Sequence, residues 1–369
     1  LLVDDDGTIA QVGSRTAMEM PAGARRLDFP DLVLAPGFID IHIHGGAGYD
    51  VMESDNTMLA AIEIQMARHG VTAYLPTTVT ASEDRTLRAL EHLGKASQRS
   101  EGAGRARPLG IHLEGPFISH AKRGVHPPAN LIQPSPQALE RFWEASEGTI
   151  RMMTIAPELP GAVETIRHAH TLGVHSSLGH SNATYQETRA AIAAGADHAT
   201  HTFNAMRPLD HREPGIVGAV LEGDELTADL IADGIHVDRS MVKLFLRAKG
   251  DDRAILITDA ISATGKPDGT YRLGDFEVEV KDGRCEHDGK LAGSVLTLDR
   301  AVRNVMHFAH WRLERAVKLA TLNPARLLGI TGLRGTVAPG RRADLVALTP
   351  EGNVAHTIIA GAIATTKKQ

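Results

Sequence analysis

Hydrophobic positions along this chain switch repeatedly between two periods. Apolar runs of strand length, bounded by Gly, Pro or Asp, occupy Phe38–His44, Val71–Val79, Leu109–Glu114, Ile150–Ala156, Val174–His180, His198–Phe203, Leu226–Ala232 and Ala254–Asp259. Between such runs the spacing becomes helical. Met58, Leu59, Ile62 and Met66 form one stripe that stops at Gly70, and Val163, Ile166 and His170 another that stops at Gly173. Met241, Leu244, Phe245 and Ala248 form a third, closed by Gly250. Residues three or four apart share a helix face, so each stripe predicts a core-facing surface. Eight strand–helix repeats predict α/β architecture with parallel strands, closed as a (β/α)₈ TIM-like barrel.

The flanks read differently. Residues 1–34 suggest short strands, with a turn at Asp6-Gly7 and alternation over Thr8–Val12; the stretch from Gly335 to about Ile363 does the same around Ala343–Leu348 and a turn at Glu351-Gly352-Asn353. The simplest arrangement pairs both termini, residues 1–36 plus 335–369, into a small β-sandwich domain. Residues 37–334 then form the barrel. Within it, 265–293 predicts a β-hairpin insertion with turns at Asp268-Gly269, Asp282-Gly283 and Asp288-Gly289, followed by helices at Leu298–Trp311 and Leu313–Leu328.

Composition narrows the function. The 369 residues are 42% hydrophobic and 23% charged, as in an ordinary globular protein, and a net charge of −6 argues against a nucleic-acid surface. Cys285 is the single cysteine, which excludes an internal disulfide framework and fits a reducing cytoplasm. No run has the apolar length of a membrane span and the start carries no signal-peptide pattern, so a cytoplasmic location is expected. The opening at Leu1 implies residues ahead of it. Nineteen histidines against four tyrosines is the unusual count, and their positions carry the chemistry.

His42 and His44 lie two apart in a predicted strand, so both rings share a face. Imidazoles inside a barrel are costly unless they bind something, because they bring polar nitrogens into the core. Glu114 ends the third strand, His180 the fifth, His201 the sixth and Asp259 the eighth. Active sites of such barrels lie at the C-terminal ends of the strands. Any one of these residues alone would read as a solvated strand end. Together at one rim they predict a site for a divalent metal, Zn²⁺ foremost, with Fe, Co, Mn or Cd as alternatives.

The segment Ala35-Pro36-Gly37-Phe38-Ile39-Asp40-Ile41-His42-Ile43-His44-Gly45 resembles the opening of the amidohydrolase superfamily. His112-Leu113-Glu114-Gly115-Pro116, Gly124-Val125-His126, His201-Thr202-Phe203-Asn204-Ala205-Met206, Arg212-Glu213-Pro214-Gly215, Ala232-Asp233-Gly234-Ile235-His236, Thr258-Asp259-Ala260 and Leu291-Ala292-Gly293-Ser294 resemble the N-acetylglucosamine-6-phosphate deacetylases within it. The resemblance implies a principal metal on Glu114, His180 and His201, and a second ion on His42 and His44. It implies Asp259 as general base and acid, and His126 as partner of the oxyanion. Substrate contacts are implied at Val125, Asn204, Ala205, Arg212, His236 and Leu296, with Arg212 reaching the neighbouring site of a homodimer. Many amidohydrolases bridge two metals with a carboxylated lysine on the fourth strand; Ile155-Ala156-Pro157-Glu158 offers none, so Glu114 would bridge. The loop Ser119–Arg123 departs most from the family pattern. A cyclic amidase or dipeptidase of the same superfamily is the nearest rival, and a scaffold that has lost catalysis is a rival of another class. The Asn204-Ala205-Met206 segment opposes the first and the intact ligand set the second.

Overall fold

Each predicted apolar run contains a strand: β1 (Phe38–Ile43), β2 (Val71–Thr78), β3 (Ile111–Glu114), β4 (Ile150–Ile155), β5 (His175–Leu178), β6 (His198–Ala199), β7 (Ala228–Ile231) and β8 (Ala254–Ile257). The computed structural model describes residues 1–14, 16, 18–99 and 104–366. β1 to β6 form one parallel sheet in chain order, and β7 and β8 pair in parallel. Ala199 N–H donates to Thr227 O (3.1 Å) and Thr202 N–H to Asp229 O (3.0 Å) between β6 and β7. Asp259 N–H donates to His42 O (2.9 Å) and His44 N–H to Ala260 O (2.8 Å) between β8 and β1. The arrangement is a TIM-like barrel with an additional sheet. β1, β2, β7 and β8 are buried along their whole length, as strands covered by helices on one side and packed inside on the other must be.

Beside the barrel, Val33–Pro36 pairs antiparallel with Leu345–Leu348, which continues through Val354–Ile359 to Ala362–Thr366. Ile9, Ala343, Leu345 and Ile358 share a small core there. Thr357 Oγ1 donates to Ala67 O (2.6 Å), at the end of the helix Asn56–Ala67. Of the expected terminal segment, residues 367–369 lie outside the described residues. Among the described residues no helix is long and apolar enough to cross a membrane.

Several expectations need correction. β5, β6 and β8 stop before His180, His201 and Asp259, because those residues turn into the left-handed region (φ 46°, 29° and 51°), which cannot continue a ladder. The stripe on the helix Arg239–Arg253 is displaced: Leu244 is exposed, and Val242, Phe245, Leu246 and Lys249 are buried. His170 also faces solvent. The segment 265–293 is a four-stranded antiparallel meander rather than one hairpin. Gly269 begins its first strand, and the first turn falls at Gly274 (φ 55°); the turns at Asp282-Gly283 and Asp288-Gly289 occur where predicted, with both residues of each pair at positive φ. The helix expected over Leu313–Leu328 is two, Leu313–Lys318 and Leu322–Leu327. Pro324 has no N–H to give Ala320 O, and the carbonyls of Leu319 and Ala320 accept instead from Leu256 in β8 and Ile39 in β1.

Candidate active site

The C-terminal ends of the strands open into a cleft of about 710 Å³. His44, Glu114, Val125, His126, His180, His201, Asn204, Ala205, His236 and Asp259 all line it, with Leu273 and Leu291–Gly293 of the meander as one wall. His42 lies beneath, fully buried. Two expected residues stand elsewhere. Arg212 is exposed on the loop after β6 and does not line the cleft of its own chain. Leu296 is buried behind β1 and β8, against a separate apolar cavity.

Glu114 is the hub. Its Oε1 lies 3.1 Å from His201 Nε2, 3.2 Å from His180 Nε2 and 3.4 Å from His42 Nε2; its Oε2 lies 3.2 Å from His44 Nε2. His180 and His201 bring their Nε2 atoms within 3.1 Å of each other. Asp259 Oδ1 approaches His44 Nε2 to 3.1 Å and His42 Nε2 to 3.7 Å. His180, His201 and Asp259 reach inward because the left-handed turn at each strand end swings the side chain toward the axis. Such conformations cost about 1–3 kcal/mol each and persist where the surroundings enforce them.

For three of the imidazoles a hydrogen bond at the far ring nitrogen fixes which edge is basic. His44 Nδ1–H donates to Thr77 O (3.0 Å) and His180 Nδ1–H to Lys122 O (3.0 Å), so each Nε2 presents a lone pair to the cluster. His126 is the reverse. The Thr80 N–H donates to its Nδ1 (3.3 Å), with the Thr80 hydroxyl at 2.8 Å, so the proton sits on Nε2. His126, Glu114 and His180 are near enough to share an ion, but a protonated Nε2 cannot ligate; it can donate a hydrogen bond into the cleft. Burial, then repulsion from His180, pushes His126 down to about 3, so this neutral donor persists.

The cluster demands positive charge. Burial opposes the Glu114 carboxylate, yet His42, His180 and His201 outweigh it and hold Glu114 well below its usual range. Burial likewise opposes the His201 imidazolium, but Glu114, Asp259 and Asp229 prevail and raise it to about 9. Asp259, opposed by burial but bonded to His44 and near His42, falls to about 2 and is a carboxylate at neutral pH. Lone pairs of nitrogen and oxygen directed at one another at 3.1–3.2 Å repel unless a cation or protons lie among them. Metal–ligand bonds of about 2.0–2.2 Å at tetrahedral angles separate ligand atoms by about 3.3–3.5 Å. The donor set of Glu114, His180 and His201 therefore fits a divalent ion, and His42, His44 and Asp259 form a second group of suitable donors.

A sequence profile of the amidohydrolase family matches residues 33–364. The chain belongs to the amidohydrolase family. An N-acetylgalactosamine-6-phosphate deacetylase of Escherichia coli is 41% identical to this amidohydrolase over 90% of the chain and 88% of its own length. An N-acetylglucosamine-6-phosphate deacetylase of Vibrio furnissii is 37% identical over 97% and 89%. Among solved structures, an aspartate-to-alanine variant of the N-acetyl-D-glucosamine-6-phosphate deacetylase of Mycobacterium smegmatis, in complex with N-acetyl-D-glucosamine-6-phosphate, superposes with a TM-score of 0.90. It is 36% identical, with 98% of this chain and 93% of that one covered.

Several supporting residues escaped the sequence reading. Thr77, Thr80 and the Lys122 carbonyl set tautomers. Asp229 accepts from the His201 N–H and lies 2.9 Å from His198 Nε2. Asp233 accepts from His236 Nδ1 (2.7 Å) and from the Ile235 and His236 amides. Asp229 and Asp233 fall in or near the β7 run, where a buried carboxylate is itself a signal; the threonines carry none. Of the consecutive backbone amides at Asn204 and Ala205, one is already engaged. Asn204 N–H donates to His201 O (2.9 Å), and the Ala205 N–H makes no hydrogen bond among the described residues.

Proposed function

We propose that this amidohydrolase hydrolyses the acetamide of N-acetyl-D-glucosamine 6-phosphate to D-glucosamine 6-phosphate and acetate, a step of amino-sugar catabolism. One observation carries the reading: a carboxylate at neutral pH, Asp259, and a neutral N–H donor, His126, line the same cleft beside a metal-type donor cluster. Relatives that share most of the chain are deacetylases of N-acetylated hexosamine 6-phosphates.

Glu114, His180 and His201 would hold the principal ion, Zn²⁺ foremost, and His42 and His44 with Glu114 a second. When bound, a divalent ion polarises an amide carbonyl and brings the pKa of water from about 15.7 toward about 7. Asp259 takes the proton of the attacking water and returns it to the departing amine, which cannot leave as an anion. His126 donates its Nε2–H to the acetyl oxygen as charge grows there. Asn204, Ala205 and His236 orient the sugar beside Val125. Leu296 stands behind the wall of the cleft and would act only through its neighbours. Arg212 reaches the 6-phosphate of the neighbouring subunit in a homodimer, since its fork suits phosphate and it does not face its own cleft. The eight strands close as a (β/α)₈ barrel over residues 37–334, and residues 1–36 with 335–369 make one small β domain. A free, buried Cys285 suits a cytoplasmic enzyme.

A second reading, the galactosamine epimer as preferred substrate, is favoured by the 41% identical relative. Steady-state amine release from both sugar phosphates decides between them through kcat/KM. Turnover of neither by metal-loaded protein would overturn both readings.

A further inference from the structure

Directly beneath the ligand cluster the barrel interior is polar, where branched apolar side chains ordinarily fill it. His112, on β3 two residues before Glu114, is fully buried. Its Nδ1 lies 3.0 Å from the Ile41 carbonyl, which can only accept, so Nδ1 carries the proton and Nε2 is the acceptor. The Thr154 hydroxyl, 2.8 Å from that Nε2, must donate to it. Thr154 Oγ1 then accepts from Thr200 (2.9 Å), and Thr200 accepts from Ser177. Each hydroxyl has one proton, so the whole string runs in one direction, from β5 to the Ile41 carbonyl on β1. It ends on that carbonyl and therefore cannot relay protons; its effect is to fix the plane of the His112 ring.

A second observation gives that ring a purpose. Metal-binding histidines ordinarily donate their far N–H to an oxygen, as His44 and His180 do. Among the described residues His42 and His201 each have a buried Nδ1 with no hydrogen-bond partner; of the two, His42 is the one whose ring meets His112. His44 meets His42 at the opposite nitrogen, Nε2 to Nε2 at 3.3 Å. The His112 ring stands edge-to-face with His42, centroids 4.7 Å apart and planes at 74°. We infer that His112 is a positioning residue for His42: its π face receives the His42 Nδ1–H, and the hydroxyl string from Ser177 through Thr154 holds that face in place. The inference rests on the reading that His42 and His44 hold an ion.

Zn²⁺ titration of the metal-stripped full chain against a competing chelator, with the melting temperature followed in parallel, tests it. Thr154→Val should weaken the ion held through His42 and His44 by about tenfold, leave the principal ion unchanged, and be rescued by Thr154→Ser. His112→Phe, which keeps an aromatic face, should retain more of that affinity than His112→Leu. In ¹⁵N-histidine-labelled protein the His42 Nδ1–H should resonate upfield and lose that shift in His112→Leu. Equal weakening of both ions, or no change in any variant, overturns the inference. Wild-type protein that binds one ion overturns the two-ion reading; the His42 resonance then decides for or against the ring contact by itself.

Discussion

Asp259→Asn isolates the proton transfer from everything else in the cleft. Asp259 sits at φ 51°, a left-handed conformation that Asn tolerates as well as Asp, and its N–H donates to His42 O through the backbone. The substitution therefore keeps the β8–β1 seam and the side-chain shape while removing the charge. Its Oδ1 approaches His44 and His42 and none of the proposed principal ligands Glu114, His180 and His201 within hydrogen-bond distance, so the principal ion should stay. What disappears is a carboxylate held at about 2, ionised at any working pH and able to take a proton and return it. Positioned proton transfer contributes about 10²–10⁴-fold, or about 3–5 kcal/mol at 1.36 kcal/mol per tenfold. We expect kcat for N-acetylglucosamine 6-phosphate to fall at least a hundredfold, with KM within a few-fold and the melting temperature within a few degrees. The assay is amine release at saturating substrate, with metal content measured on the same samples. A metal-loaded variant with kcat within tenfold of the parent would remove Asp259 from the chemistry.

Other outcomes follow from separate parts of the molecule. Arg212→Ala should raise KM for the phosphorylated sugar at least tenfold and leave turnover of unphosphorylated N-acetylglucosamine unchanged; equal damage to both would refute phosphate recognition. Gly115→Ala drives a Cβ into Thr80 Oγ1 at a φ of 75°. Displacing Thr80 frees His126, so kcat should drop tenfold or more while metal content, measured by atomic absorption, is kept. Asp299 is bonded to His69 and Arg303 at 3.0 Å; burial opposes its charge, but these partners hold its carboxyl below the usual range. Its stabilisation is therefore present above about pH 4 and lost as pH falls through the folded value. Asp299→Asn should cost about 2 kcal/mol at pH 7, with the gap in melting temperature closing below about pH 4.

The strand bodies were legible because buried parallel strands are near-continuous apolar runs, and β7 and β8 show it plainly. Their ends were not. His180, His201 and Asp259 extend the apolar pattern by two residues, and the enrichment of His and Asp at positive φ is too weak a bias to place a strand end. The residues that meet at the cleft were readable as a set because each has ligand chemistry and stands in or just past a strand run, His42 and His44 sharing the first. The tautomers were hidden, since Thr77, Thr80 and the Lys122 carbonyl come from distant segments and serve partly through backbone atoms. That also explains why the atypical loop Ser119–Arg123 is compatible with an intact site: its contacts to His180 are made by the Ser119 N–H and the Lys122 carbonyl, backbone groups that do not depend on which side chains the loop carries. Leu244 was misplaced because apolar spacing on a helix defines a face only to within about one residue.

The seam between β8 and β1 has a consequence for how the enzyme comes into being. Asp40 and Thr258, 218 positions apart, are joined there by a 2.6 Å hydrogen bond, and the proposed metal ligands span β1 to the turn beyond β6. All five proposed ligands, the last of them His201, are made before β7 and β8, the strands that close the seam. Once β8 has closed against β1, bound metal fastens the ring. An ion at a hundred times its dissociation constant then adds about 2.7 kcal/mol to the closed form. A cell starved of that metal would lose folded enzyme as well as turnover, and the first strands to part would be those the ion ties together.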